Sequence, residues 1–265
     1  MNPMIRKELR QRMRERRAWL LPALYLIGLG TTVVLAYFLV TLSGRASRTL
    51  GMTVQAADVG QAVFIAAVYV QLGVLLLMAP VFSAGALTIE KEQRTLTALL
   101  TSLLTPAQIW WGKWVAAILY QVLLLVSALP VLSLAVAFGG VGPREIAIAT
   151  GSTFVTLASV SAVGLYCSSF FRRSVNATAV TYAVVVLLVI VTSVVSAIVT
   201  AVVRDPRQFP LHLLVPNPFF ALSMGLFGQG PQLSLWLESL GFYVALALLA
   251  SALTVRNLGR SGDQV

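Results

Sequence analysis

Long apolar runs alternate with short polar breaks along this chain. Six runs are long enough to cross a bilayer, because about 20 helical residues at a rise of ~1.5 Å span the ~30 Å hydrocarbon core. They are Trp19–Leu42, Ala62–Leu87, Ile109–Phe138, Ile146–Phe171, Val175–Val203 and Leu233–Val255. Only helices or closed barrels satisfy the backbone in lipid, and runs of this length predict helices. The fifth run exceeds the core thickness and is expected to tilt or protrude.

Three stretches between the runs carry a different pattern. In Pro3–Arg17, Ile5, Leu9 and Met13 recur every four residues, with Arg6, Arg10, Arg14 and Arg17 running beside them. This spacing predicts an amphipathic helix over residues 1–18 that lies on a membrane surface and turns its arginines to anionic lipid or a partner; a plain basic flank that sets topology is the alternative. In Thr88–Leu104, Ile89, Leu96, Leu99, Leu100, Leu103 and Leu104 share one helical face, and Glu90 and Arg94 stand four apart in the favourable order. Thr105-Pro106-Ala107-Gln108 then reads as a capping box with proline in the first turn, so one helix ends near Leu104 and another begins. Trp110, Trp111 and Trp114 follow as interfacial anchors, with Lys113 expected to snorkel beside them. The whole is a helical elbow between spans 2 and 3, longer than a plain connection requires.

The third stretch, Arg204–Gln232, contains Pro206, Pro210, Pro216, Pro218 and Pro231 around an apolar piece too short to cross, Phe219–Phe227. It predicts a re-entrant or interfacial helix pair held by protein on one side. His212 is alone there and suggests no metal site. In the fifth run Thr192, Ser196 and Thr200 form a hydroxyl stripe, which suits either close contact between two copies or ordinary packing within one chain.

Composition and charge sharpen this picture. The chain of 265 residues is 58% hydrophobic and 11% charged, far below the roughly 25% charge of a soluble domain, so its main solvent is lipid. A net charge of +10 would hint at nucleic acid in a soluble protein. In a membrane chain the placement of the charges decides, and no nucleic-acid partner is expected. With the N-terminus inside, seven cations precede span 1, and Lys91, Arg94, Lys113, Arg172, Arg173, Arg256 and Arg260 share that side. Arg45, Arg48, Arg144, Arg204 and Arg207 lie opposite. Both termini, including the tail 256–265, are therefore expected in the cytoplasm of a cell whose plasma or inner membrane holds the chain. The first run is too long for a cleaved leader and is expected to stay as a span.

The chemistry that is missing matters equally. The span interiors are read as free of Asp, Glu, Lys, Arg and His, which argues against proton- or ion-coupled transport and against intramembrane catalysis. The chain has no phosphate-binding loop, no cluster of metal ligands and one cysteine, Cys167, read as packing. Any work it performs draws on another polypeptide.

The elbow is similar to the stretch after span 2 in ABC-2 type permeases, the membrane subunits of a class of ABC exporters. The shared residues are Glu90, Lys91, Glu92, Thr95, Leu96, Leu99, Leu100, Pro106, Gly112 and Lys113. Gln93-Arg94 stands where Arg-Gly is commoner, and the lost glycine is expected to stiffen the turn. Pro216–Leu222 resembles the family's Asn-Pro turn, and the order of elements agrees over nearly the whole chain. The resemblance implies an all-α integral membrane protein: a single permease domain with six transmembrane helices, an N-terminal surface helix, a coupling helix over 88–104 and a re-entrant segment between spans 5 and 6. It implies a half-transporter that pairs with a second permease, identical or related, and binds two ABC ATPase subunits. ATP and Mg would be bound by those ATPases and no cofactor by this chain. The coupling contacts would be Glu90, Lys91, Glu92, Arg94, Leu96, Leu99, Leu100 and Leu103. A membrane assembly factor or sensor that uses the same elbow to hold a soluble ATPase, without moving cargo, is the alternative.

Overall fold

The computed structural model describes residues 17–48, 55–95, 105–202, 211–228, 230 and 232–262. Every regular element in them is helical. In chain order these are α1 (Arg17–Arg48), α2 (Ala56–Ser83), α3 (Thr88–Glu92), α4 (Pro106–Ser127), α5 (Leu129–Phe138), α6 (Pro143–Phe170), α7 (Ser174–Val186), a π-turn (Leu187–Val191), α8 (Thr192–Val202), a 3-10 turn (Leu211–Leu214), α9 (Pro218–Phe227) and α10 (Gln232–Gly262). Among the described residues, six helical stretches are long and apolar enough to cross a membrane, as the sequence pattern predicts.

Two of the six are interrupted, which periodicity did not show. Pro130 lacks an N–H and its ring crowds the preceding turn, so the third span breaks at Ala128 between α4 and α5. The fifth span runs α7, π-turn, α8, and its irregular middle meets the Pro-rich segment described below. The elbow also differs from expectation. Its helix ends at Glu92 rather than running on, and residues 96–104 lie outside the described residues. The predicted N-terminal helix lies outside them too, except Arg17, which opens α1.

α6 is the hub. Its most apolar window is 61% buried, against 11% for the fifth span, so α6 is central and the fifth span peripheral. α2, α4, α7, α9 and α10 all pack on α6. Leu72 and Leu75 of α2, Leu124 of α4, Leu132 of α5, Leu157 of α6 and Leu222 of α9 meet in one core. α6 carries many hydroxyls, yet they do not open it to water. Thr156 donates to Ser152 O at 2.9 Å, and Ser159 shares its one hydroxyl proton between Val155 O at 2.8 Å and Tyr243 O of α10 at 2.6 Å. Gly164 lets α2 approach α6 closely, since any Cβ there would collide with the Ser83 side chain.

Among its described residues, the Pro-rich segment forms the 3-10 turn and then α9. Tyr243, deep in α10, donates its hydroxyl to Pro216 O at 2.6 Å. Nearer the start of α10, Gly225 of α9 lies against Trp236, whose indole N–H donates to Ser152 Oγ at 2.9 Å. So α9 begins alongside the middle of α10 and ends near its start, which is re-entrant geometry. Lys113 in α4 and Glu238 in α10 stand within spans, each toward one end, and correct the expectation of span interiors free of ionisable groups.

Candidate functional site

The elbow begins at the end of α2. After the turn Ala84–Leu87, the fully buried Ser168 of α6 accepts from the backbone N–H groups of Leu87 and Thr88 at 2.8 and 2.9 Å. A distant serine thus supplies the cap that a helix start needs. The next residues, Glu90, Lys91 and Glu92, are consecutive, so helical geometry fans them in three directions about 100° apart. Each finds a different element.

Glu90 turns to α4 and pairs with Lys113, Oε1 to Nζ 2.9 Å. The Lys113 side chain is only 2% exposed. It does not snorkel toward a membrane surface, because the carboxylate at the elbow holds it inside the bundle. Lys91 turns to the end of α6. Its ammonium donates to Ser168 O at 3.0 Å, to Phe171 O at 2.9 Å and to Ser169 O. Those carbonyls are among the unpaired acceptors at a helix C-terminus, where positive charge is favoured. Glu92 turns to the start of α7. Its Oε1 accepts from Ser174 N at 2.6 Å and Ser174 Oγ at 2.9 Å, placing negative charge at a helix N-terminus. The three charges are sorted by sign to the helix ends and the cation they meet.

The helix then stops in a Schellman motif. Thr95 N donates to Glu90 O at 2.9 Å, and Arg94 N donates to Lys91 O at 3.2 Å. Arg94 occupies the left-handed position, with φ 57°, where glycine is usual. The expected helical pair of Glu90 and Arg94 does not form as drawn from their spacing, because the helix has already ended and the Arg94 side chain is exposed. Thr95 Oγ1 donates to Glu90 Oε2 at 3.1 Å and ties the turn back to the helix.

What remains outward is a small mixed face. Ile89 is 48% exposed, and Gln93, Arg94 and Thr95 are exposed beside it. Leu96, Leu99, Leu100 and Leu103 lie outside the described residues, as do Ile5, Arg6, Leu9, Arg10, Met13 and Arg14.

α4 starts as its sequence predicts. Gln108 N donates to Thr105 Oγ1, and Thr105 N donates to Gln108 Oε1 at 3.0 Å, with Pro106 in the first turn. Trp110, Trp111 and Trp114 form one aromatic cluster, with ring centroids 5.2–5.9 Å apart. Trp111 is half exposed, while Trp114 donates its indole N–H to Ala158 O of α6 at 3.2 Å. The cluster therefore links the start of α4 to α6 as well as offering an aromatic surface.

At the far end, the hydroxyl stripe of the fifth span is partly used within the chain. Thr192 Oγ1 donates to Leu188 O at 2.6 Å and accepts from Asn217 Nδ2 at 3.0 Å. His212 is not alone there, since its Nδ1 lies 2.9 Å from Glu238 Oε2. Among the described residues no three His, Cys, Asp or Glu side chains gather as metal ligands do.

Sequence reasoning found the charged triplet but missed what it grips. Ser168 and Ser174 belong to apolar or basic surroundings with no local signal, and only the fold brings them to the elbow. Pro216–Leu222 was read as a turn; that Asn217 caps α9 and reaches into the fifth span was not.

The fold and the elbow define a multi-pass α-helical membrane protein with a charged, clamped turn between its second and third spans. Residues 3–255 match the family described as ABC-2 family transporter protein, and the chain belongs to that family. It is a permease, the membrane component of an ABC transporter. No curated protein matches the chain.

Proposed function

We propose that this permease is the membrane half of an ATP-driven exporter and receives its energy through the elbow from a separate ATPase subunit. The observation that carries this reading is the three-way clamp. Glu90, Lys91 and Glu92 join one short helix to the start of α4, the end of α6 and the start of α7. A push on that helix reaches three spans at once. Its outward face, Ile89 with Gln93 and Arg94, is free to dock, and the charges behind it make the handle rigid. ATP and Mg bind the partner, and this chain performs no catalysis. Two permeases, identical or related, pair over two ATPases, and cargo leaves between them. The distribution of Lys and Arg supports a plasma or inner membrane location with both termini in the cytoplasm.

The test is docking by the exposed face alone. The tagged chain is purified from its own membranes, and an ATPase bearing a phosphate-binding loop is expected to accompany it. Ile89→Asp places a charge on a position outside the core. It is expected to weaken ATPase binding about tenfold or more, the scale of a truncated apolar anchor, while the permease elutes as before. Unchanged binding would sink the assigned docking face.

A further inference from the structure

The fifth span divides at its π-turn into halves with different neighbours. Below it, α7 packs against α6, α2 and the elbow helix α3. Tyr182 of α7 donates to Leu77 O of α2 at 2.7 Å, and Glu92 of the elbow grips the first residue of α7. Above it, α8 packs against the 3-10 turn of the re-entrant segment.

At the division stands Asn217, 4% exposed. Its Oδ1 caps α9, accepting from Phe219 N at 2.9 Å and Phe220 N at 3.3 Å. Its Nδ2 crosses to the fifth span, where its two N–H groups are shared among Ser193 Oγ at 2.9 Å, Thr192 Oγ1 at 3.0 Å and Val189 O at 3.2 Å. A π-turn leaves carbonyls without their α-helical partners, and such turns often mark places where a helix does something besides span. Here Ser193 Oγ donates to Val189 O at 2.7 Å, and Asn217 supplies a second donor to the same oxygen. One amide therefore serves two helices, and neither can shift without breaking polar bonds in a setting where water is scarce.

We propose that the fifth span is the rod that carries elbow motion to the re-entrant helix, with Glu92 gripping one end and Asn217 forming the joint at its middle. The π-turn is where the rod bends, and α9 follows α8. Asn217 is a positioning residue for the outer half of the path. The transport part of this inference rests on the function proposed above; the joint itself does not.

Two substitutions separate the joint from the fold. Asn217→Ser keeps an oxygen able to cap α9, since serine caps as well as asparagine, but is too short to reach the fifth span. Thr192→Val with Ser193→Ala removes acceptors on the other side and leaves the cap untouched. Hydrogen exchange is read by mass spectrometry on the purified full chain in detergent. Both variants are expected to exchange about tenfold faster over residues 187–195, the scale of a lost buried hydrogen bond, with residues 218–227 as in the parent. In the complex with its ATPase reconstituted in vesicles, both are expected to retain ATPase binding and to lose most ATP-driven transport. Parent-like exchange at 187–195 in both variants overturns the joint, and parent-like transport in both overturns the rod. If the parent chain binds no ATPase, the proposed function falls and the rod with it, while the exchange result still decides the joint. Should Asn217→Ser fail to fold, the near-isosteric Thr192→Val/Ser193→Ala variant carries the exchange test by itself.

Discussion

At the scale of single residues, burial decides what each charge is worth. Lys113 is 2% exposed and its partner Glu90 19%. Removing the carboxylate takes an ion-pair partner from an ammonium deep in the bundle, and breaking a buried pair costs about 3–5 kcal/mol. Removing the ammonium leaves a carboxylate that water can reach. Glu90→Ala is therefore expected to lower the thermal midpoint in detergent by clearly more than Lys113→Met. Equal losses, read by intrinsic tryptophan fluorescence, would contradict this account. Arg94 makes the opposite point. A residue with a Cβ in the left-handed region carries a penalty of roughly 1–2 kcal/mol, which glycine escapes. Arg94→Gly is expected to raise the midpoint slightly, partly offset by the freedom glycine gains in the unfolded chain. The sequence comparison expected the missing glycine to stiffen this turn. The structure shows a Schellman turn closed around an arginine in the left-handed region. A destabilised Arg94→Gly variant would show that the arginine side chain outweighs its backbone strain.

At the scale of elements, caps and close approaches set where helices begin and how near they lie. The Thr105 box starts α4 and was legible, because a cap acts through residues three apart in sequence. Thr105→Ala is expected to cost about 1 kcal/mol and to increase hydrogen exchange in the first turn of α4 only. Spread of that increase into α6 would mean that the cap also orders the helix contact. Gly164 acts between elements. Gly164→Val must push α2 away from α6 at Ser83, and overpacking of this kind costs about 1–3 kcal/mol. The expected readout is a lower midpoint together with loss of protection around Leu87 and Thr88, whose N–H groups depend on Ser168 one turn further along α6. A shift confined to stability would show that the elbow tolerates movement of α6.

At the scale of the whole molecule, the elbow holds one end of the fifth span and the re-entrant segment meets its middle and far half. α6 stands as the fixed hub between them, and the fifth span lies at the edge with most of its surface uncovered. An exposed helix can move without repacking a core, which a buried one cannot. This division of labour suits a permease that takes a push at one face and changes shape at the other.

The sequence alone determined the membrane setting, the six spans, the presence of a charged elbow and of a re-entrant segment, and where α4 begins. These follow from composition, run length and local capping, all of which act within about one turn or one bilayer thickness of chain. It left open which way Glu90, Lys91 and Glu92 face, how Lys113 is used, where the third and fifth spans are interrupted, and what Asn217 touches. Those depend on Ser168, Ser174, Val189 and Ser193, which lie 24 to 82 residues from the groups they meet along the chain. Only packing brings such groups together. In a lipid-soluble chain, a buried polar group must find whichever partner the fold supplies, so tertiary structure decided which elements Glu90, Lys91 and Glu92 grip.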